Sequence, residues 1–332
     1  MYPFFHSLPE ISLDDAILRE NLQAWKTRTR VHVRAVVKAN GYGFGLARIA
    51  RALNGAADGF VVSDASGLQR LRAISHAPAA TLLDLGPEHA VRVITLGGIP
   101  NIVHRESLAV LAARADASSL IVRVGLRLAA GWSAIDIADA PAYATVLAKA
   151  GMRVELWTHL TNATTDRADR ERFGRFVAIF RERGVDVIGE DFESTAPAAS
   201  GHAHGTAVRI GVGLFGGDGL ACAIGVKARI IDRLRSDGTL RASYGAAVLP
   251  EGTDVLVVRC GYSDGFPRVT RPYRRVLSVG MQNTVIRGTD DGASFALLRA
   301  DDDLDALALA AGILPHQIVT GLGLAFQRQT AD

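Results

Sequence analysis

The sequence predicts a (β/α)8 barrel followed by a smaller C-terminal all-β domain, an α/β architecture, and three observations carry that expectation. At 332 residues the chain exceeds one average domain. Between about residue 12 and residue 220, short β-branched runs alternate with amphipathic stretches, as in parallel strands joined by crossover helices. After residue 222 the pattern changes to short strands and turns. The barrel is accordingly assigned residues 1–222 and the β-domain residues 223–332, with residues 1–12, ending near the ISL of 11–13, a candidate extra strand of the second domain.

In chain order the barrel strands read as VHVRAVVK (31–38), GFVVS (59–63), ATLLDL (80–85), NIVHR (101–105), LIVRVGL (120–126), RVELWTHL (153–160), VDVIGED (185–191) and AVRIGVGLF (207–215). Helices fill the intervals. LARIARALNG closes on a glycine, and DRADRERFGRFVAIFRERG sets Phe173, Phe176, Val177 and Phe180 at helical spacing before Gly184. A doubly wound open sheet alternates in the same way, so periodicity leaves barrel and open sheet undecided. Beyond residue 222, VKARIIDRLR, TDVLVVRCGYSDGFPRV, YRRVLSVGMQNTVIRG and SFALLRADDD read as strands and turns. A short helix, LDALALAAG, and a final strand, HQIVTGLGL, follow.

Composition narrows the function classes. Apolar residues make up 48% and charged residues 21%, the profile of a folded enzyme-sized protein. A net charge of +3, from 37 basic and 34 acidic residues without long like-charge runs, gives nucleic-acid binding little support. Cys222 and Cys260 are too few for a disulfide framework and lack CxxC spacing, which suits a reducing, cytoplasmic setting. The opening MYPFFHSLPEISLDD has no basic leader before a long apolar core, and no apolar run reaches the roughly 18 residues of a spanning helix. No nucleic-acid or membrane partner and no metal is expected.

The chemistry begins at VVKANGYGFG, residues 36–45. Lys38 stands where a buried strand ends, the end of a barrel at which functional groups gather. A lysine drawn toward low-dielectric surroundings loses some preference for its charged form, and a neutral amine can form a Schiff base with an aldehyde cofactor. The glycines that follow allow backbone to approach a ligand, and the Tyr42 hydroxyl can donate to a phosphate. A lysine before an ordinary glycine turn would look the same from this decapeptide alone.

Distant segments add to it. KANGYGFG resembles the pyridoxal 5'-phosphate lysine segment KANAYGHG of the alanine racemase family, a fold-type III family. GYSDGFPR (261–268) resembles its GYADGYPR, VRIGVGLFG (208–216) its VRPGIALYG, and WTHL its THFA segment. Order and separations agree over nearly the whole chain. The resemblance implies a barrel plus β-domain and a head-to-tail homodimer with shared active sites. It makes Lys38 the Schiff-base lysine and one proton-transfer base, and Tyr262, from the partner subunit, the opposite base. It sets Arg209 against the pyridine nitrogen and His159 beside the ring. The cofactor phosphate then falls to Tyr42, Ser194 and the backbone of Gly211 and Val212. Two bases fit racemisation, which removes an α-proton from one face of a planar centre and returns one on the other.

The chain also departs from the family. Where the family has KIDTGMGRLG, with a lysine that is often carbamylated and an arginine for the substrate carboxylate, this chain has RVGLRLAAGW. Arg123 stands at the lysine position, and alanine at the arginine position. Arg123 or Arg127 is therefore a candidate for the carboxylate contact, with exposed barrel-surface arginines the alternative. The MDQ turn is here Met281-Gln282-Asn283, placing Met281 near the substrate. Phe44, Phe215 and Glu193 replace a histidine, a tyrosine and an asparagine of the family. The expectation is an amino-acid racemase whose substrate need not be alanine. Its alternatives are another pyridoxal-phosphate reaction on the same plan (decarboxylase, aldolase or transaminase-like) and a cofactor-binding protein without turnover.

Overall fold

The computed structural model describes residues 8–160, 167–193, 205–242 and 248–330. They form two compact units. One comprises the described residues of Leu22–Gly41 and Leu46–Gly211; the other comprises those of Met1–Asn21, Tyr42–Gly45 and Val212–Asp332.

In the second unit, strand β1 (Glu10–Leu13) pairs antiparallel with a long later strand, as described below. The first unit is built on seven parallel strands: β2 (His32–Val36), β3 (Gly59–Val62), β4 (Ala79–Thr81), β5 (Ile121–Leu126), β6 (Arg153–Thr158), β7 (Asp186–Glu193) and β8 (Ala207–Ile210). Their order is β4-β3-β2-β8-β7-β6-β5. The expected strand at 101–105 is reduced to isolated bridges, Ile99 with Ala80 on one side and Asn101 with Arg123 on the other. Pro100 offers no N–H to a ladder, and the chain turns at His104 into the helix Arg105–Ala112. The bridges nevertheless occupy the eighth place and close the barrel: Ile99 N donates to Ala79 O, and Arg123 N to Pro100 O.

Side chains alternate along these strands. Val122, Val124, Leu126, Val154 and Leu156 face outward into a core with Leu108, Leu111, Leu147, Phe173, Phe176 and Phe180 from the surrounding helices. The intervening residues of the same strands, Arg123, Gly125, Glu155 and Trp157, consequently face the barrel interior. The helix Arg167–Glu182 buries the four apolar residues whose spacing predicts it.

The other unit holds an antiparallel six-stranded sheet of β1, β9 (Ile224–Arg235), β10 (Asp254–Val258), β11 (Val276–Val279), β12 (Thr284–Arg287) and β13 (Ser294–Leu298). Ile11 pairs with Val226, and β13 pairs with β9 on its other side. The expected helix forms as Leu304–Ala311, its N-cap Asp303 accepting from Asp305 N and Gly312 closing it in the left-handed region.

The expected final strand does not form; Pro315–Thr330 is a helix. Proline suits its first turn, and Ile318, Val319, Leu322 and Ala325 share one buried face at helical spacing. The β-branched, glycine-containing stretch suggested a strand. Its glycines instead serve close packing: a Cβ on Gly323 would lie 2.1 Å from Tyr42 O. The GYSDG segment likewise leaves the strand after Val258 and forms a 3-10 turn at Tyr262–Asp264. Among the described residues, no single helix is long and apolar enough to cross a membrane.

Candidate active site

Lys38 follows β2 at its C-terminal end, and the chain then turns the wrong way. Ala39, Asn40, Gly41 and Tyr42 have φ of 51, 54, 63 and 54°, a left-handed turn, and Gly43 continues at 91°. For a non-glycine residue this region costs about 1–2 kcal/mol, and three of the first four are not glycine. The turn is held by Gly41 N donating to Val37 O. Asn40 Oδ1 adds to this by accepting from Leu46 N and from Arg70. Strain retained against this cost is characteristic of functional segments. Lys38 itself is half-buried. Burial, and secondarily the Arg209 guanidinium, push its amine below the usual lysine range.

Beneath that end the barrel interior contains a charged layer. Arg34 on β2 makes two hydrogen bonds to Glu155 on β6, at 2.5 and 2.6 Å. Glu155 also lies 3.3 Å from Nε of Arg123 on β5. Arg123 Nη2 donates to Oδ2 of Asp191 on β7. Asp191 Oδ1 is in turn 2.8 Å from Nη1 of Arg209 on β8, an ion pair off the hydrogen-bond axis. Arg209 Nη2 donates to Thr158 O at 2.6 Å. Cation and anion thus alternate along Arg34, Glu155, Arg123, Asp191 and Arg209, with arginines at both ends.

Arg123 is 0% exposed, so it is not on the barrel exterior. Burial pulls its pKa down to about 10, against the opposing pull of Asp191, and it stays a cation at neutral pH. Among the described residues its Nε and Nη1 find no hydrogen-bond partner, although both are buried. Burying charge costs several kcal/mol per ion unless it is well paired, so a layer with an unmatched donor is better explained by ligand chemistry than by stability.

Aromatic rings border this layer. Trp157 lies between the two arginines, with Arg123 Cζ 5.6 Å and Arg209 Cζ 5.0 Å from its ring. Its Nε1 donates to Asn101 Oδ1, while Asn101 Nδ2 donates to Leu82 O and Ser133 O. Gly125 makes room for this indole; a Cβ there would lie 2.4 Å from Trp157 Cε2. A second indole, Trp132, stacks on His159 with centroids 3.6 Å apart, and Lys38 Nζ is 5.9 Å from its centre. Lys38, His159 and Arg209 therefore belong to one neighbourhood of the barrel unit.

The remaining expected residues fall as follows. Gly211 ends β8 as a buried bend, and Ser194 lies outside the described residues. Arg127 donates to Ala134 O and lies 3.5 Å from Asp136, so its side chain is engaged with its own loop. Val212 is a buried residue of a 3-10 turn in the other unit. Tyr42, also in that unit, is buried, and burial raises the proton affinity of its phenolate. It meets Phe215 edge-on, and Phe215 and Phe326 both pack against Phe44. The two family-departing phenylalanines thus belong to one aromatic cluster. Tyr262 is 45% and Met281 59% exposed. They are neighbours: Tyr262 N donates to Gly280 O, while the backbone N and Oγ of Ser263 both donate to Met281 O. Tyr262 lines a groove of about 630 Å³ with Leu324, Gln327 and Arg328.

Sequence reasoning passed over Asp191, Glu155, Arg34, Trp157 and Trp132. A signal for the first four was present, since charged or bulky polar residues at inward positions of barrel strands have to answer one another. Trp132 carried none, because it lies on a loop.

The comparisons agree with the architecture. Residues 13–219 match the family described as "Alanine racemase, N-terminal domain". The alanine racemase of Janthinobacterium sp. (strain Marseille) is 27% identical, over 94% of this chain and 95% of its own. The structure of alanine racemase from Acinetobacter baumannii superposes with a TM-score of 0.81 at 21% identity, covering 94% of this chain and 96% of that one. That of alanine racemase from Bartonella henselae with covalently bound pyridoxal phosphate does so with 0.75 at 18%, covering 95% and 97%. With a barrel that carries a lysine at the end of its first strand, and a family match over well above half of its length, this chain belongs to the alanine racemase N-terminal domain family.

Proposed function

We propose that the protein is a pyridoxal 5'-phosphate-dependent amino-acid racemase, acting as a homodimer on a small amino acid that need not be alanine. The observation that carries this is Lys38, a lysine whose proton affinity is lowered by burial and by the Arg209 cation and whose Nζ is 5.9 Å from the Trp132 ring that stacks on His159. The donor set fits the cofactor. An amine that deprotonates readily suits an aldehyde, an aromatic plane suits a pyridine ring, and a permanent cation suits the ring nitrogen. Among the described residues, the three arginines of the charged run against its two carboxylates leave positive charge for anionic groups.

When bound, the cofactor supplies the electron sink that acidifies the substrate's Cα–H. Lys38 holds the cofactor and moves the α-proton on one face. Tyr262 of a partner subunit serves the other face, its phenol exposed on its own unit and its backbone fixed by the 280–281 turn. Arg209, which keeps its proton, would face the ring nitrogen of the bound cofactor. Tyr42, Ser194 and the backbone of Gly211 and Val212 hold the phosphate, as the family resemblance implies. The substrate carboxylate goes to Arg123, through its unmatched Nη1, or to Arg127, with Met281 bordering the side chain.

The test combines purified protein, pyridoxal phosphate and a panel of L- and D-amino acids in D2O. Deuterium entry at Cα with loss of optical rotation is expected. Release of CO2 or an aldehyde assigns a different reaction, and no reaction with any amino acid assigns a binding role. Lys38→Ala is expected to abolish the visible absorbance band that pyridoxal phosphate develops on the wild-type protein.

A further inference from the structure

The interior charge layer singles out one residue beyond those assigned above. Asp191 on β7 uses both carboxylate oxygens on arginines: Oδ1 lies 2.8 Å from Arg209 Nη1, and Oδ2 accepts from Arg123 Nη2. Strand register explains this. Asp191 is the lateral partner of Ala207 on β8, and Arg209 is two residues further on the same face. Asp191 is also the lateral partner of Trp157 on β6, whose ring touches both guanidinium groups. Arg209 is thereby held on three sides, by the Asp191 carboxylate, the Thr158 carbonyl and the Trp157 indole.

We propose that Asp191 is a positioning residue that fixes the Arg209 guanidinium for the cofactor, and that Arg123 acts through Asp191 as the counterweight that aims it. This rests on the reading that Arg209 meets the cofactor ring. A carboxylate on a flexible rotamer could follow one arginine. Tied between two, and with Arg123 itself anchored to Glu155 and through it to Arg34, it has one orientation. The arrangement conveys position from β2 to β8 through alternating charges, and neither carboxylate in it, Glu155 or Asp191, has to touch substrate for that.

The test is the paired variant Arg123→Met with Asp191→Asn, which removes one cation and one anion together and so preserves the net buried charge. The readouts are cofactor affinity, from titration of the Lys38-dependent band in the absence of amino acid, and the pH midpoint of band formation. If Asp191 positions Arg209, the paired variant unfolds near the wild-type urea concentration but binds pyridoxal phosphate about 10- to 100-fold more weakly. Its midpoint also moves up, because a displaced Arg209 no longer disfavours the charged Lys38. Wild-type affinity and midpoint in the paired variant overturn the proposal and leave Asp191 as a charge balance for Arg123. Should the paired variant not fold, Arg123→Lys decides: it keeps the charge but loses the fork that grips Asp191. Weakened cofactor binding supports the proposal, and unchanged binding overturns it. If the wild type shows no Lys38-dependent band, the cofactor reading itself fails and this proposal falls with it. If the band is present, only the role of Asp191 is in question.

Discussion

The indole of Trp132 lies on the imidazole of His159 with 3.6 Å between ring centres. That is contact distance, so no third ring fits between them. If His159 flanks the cofactor ring on this face, the pair has to part on loading. The neighbouring residues Ala129, Ala130 and Gly131 are exposed, with nothing within 4 Å of the place a Cβ on Gly131 would take, so that side of the loop has room to move while Ser133 and Ala134 stay tied to Asn101 and Arg127. Trp132→Ala is expected to bind pyridoxal phosphate about 2- to 10-fold more tightly, the equivalent of one aromatic pair. Fluorescence titration checks it: the wild-type emission change should be reduced in Trp132→Phe, with Trp157 beside Arg209 supplying the remainder, and weaker binding by Trp132→Ala would make the indole a cofactor contact instead.

Lys38 supplies a pH dependence. Its proton affinity is lowered, first by burial and then by Arg209, so the neutral amine appears at lower pH than for an ordinary lysine near 10.4. The rate at which the protein forms its pyridoxal-phosphate adduct should rise with pH, with a midpoint below that value. Replacing Arg209 by Gln removes the cation but not the burial, and the midpoint should move up part of the way. A downward movement would contradict the assigned cause.

Tyr262→Phe should leave stability within about 0.5 kcal/mol of wild type, because the ring is largely exposed. Racemisation measured by polarimetry should fall by about 10²- to 10⁴-fold, the usual contribution of a positioned acid or base. Undiminished racemisation would remove Tyr262 from the two-base scheme.

Three glycines separate packing from propensity. Gly323→Ala drives a methyl to 2.1 Å from Tyr42 O, and Gly125→Ala drives one into the Trp157 indole. Each should cost about 1–3 kcal/mol in urea unfolding. Gly174, within the helix Arg167–Glu182, has nothing within 4 Å of the place a methyl would take. Gly174→Ala should therefore stabilise by about 0.5–1 kcal/mol.

Much of the barrel was legible because parallel strands buried on both faces leave nearly continuous apolar runs, and the crossover helices leave a 3.6-residue period. Phe173, Phe176, Val177 and Phe180 show this directly. The segment at 101–105 did not follow its composition because Pro100 precedes it and a helix begins at Arg105. HQIVTGLGL misled for a different reason. Its β-branched residues favour a strand locally, yet its apolar positions fit one buried helical face, and its glycines admit close approach to other backbone.

Of the expected site, Lys38, the glycines after it and the distant GYSDG and VRIGVG segments could be named from sequence because each is a short contiguous stretch in which a resemblance can be read. The left-handed turn at Ala39–Tyr42 and the Trp132–His159 stack were outside the reach of such a reading. So was the alternating run from Arg34 to Arg209, which draws one residue from each of five strands. Strand register and barrel closure bring those residues together, and both arise from hydrogen bonds between segments up to about 175 residues apart in the chain. Arg123 illustrates the division: its identity was evident as a departure, but only burial against Asp191 and Glu155 distinguishes an interior cation from a solvated one.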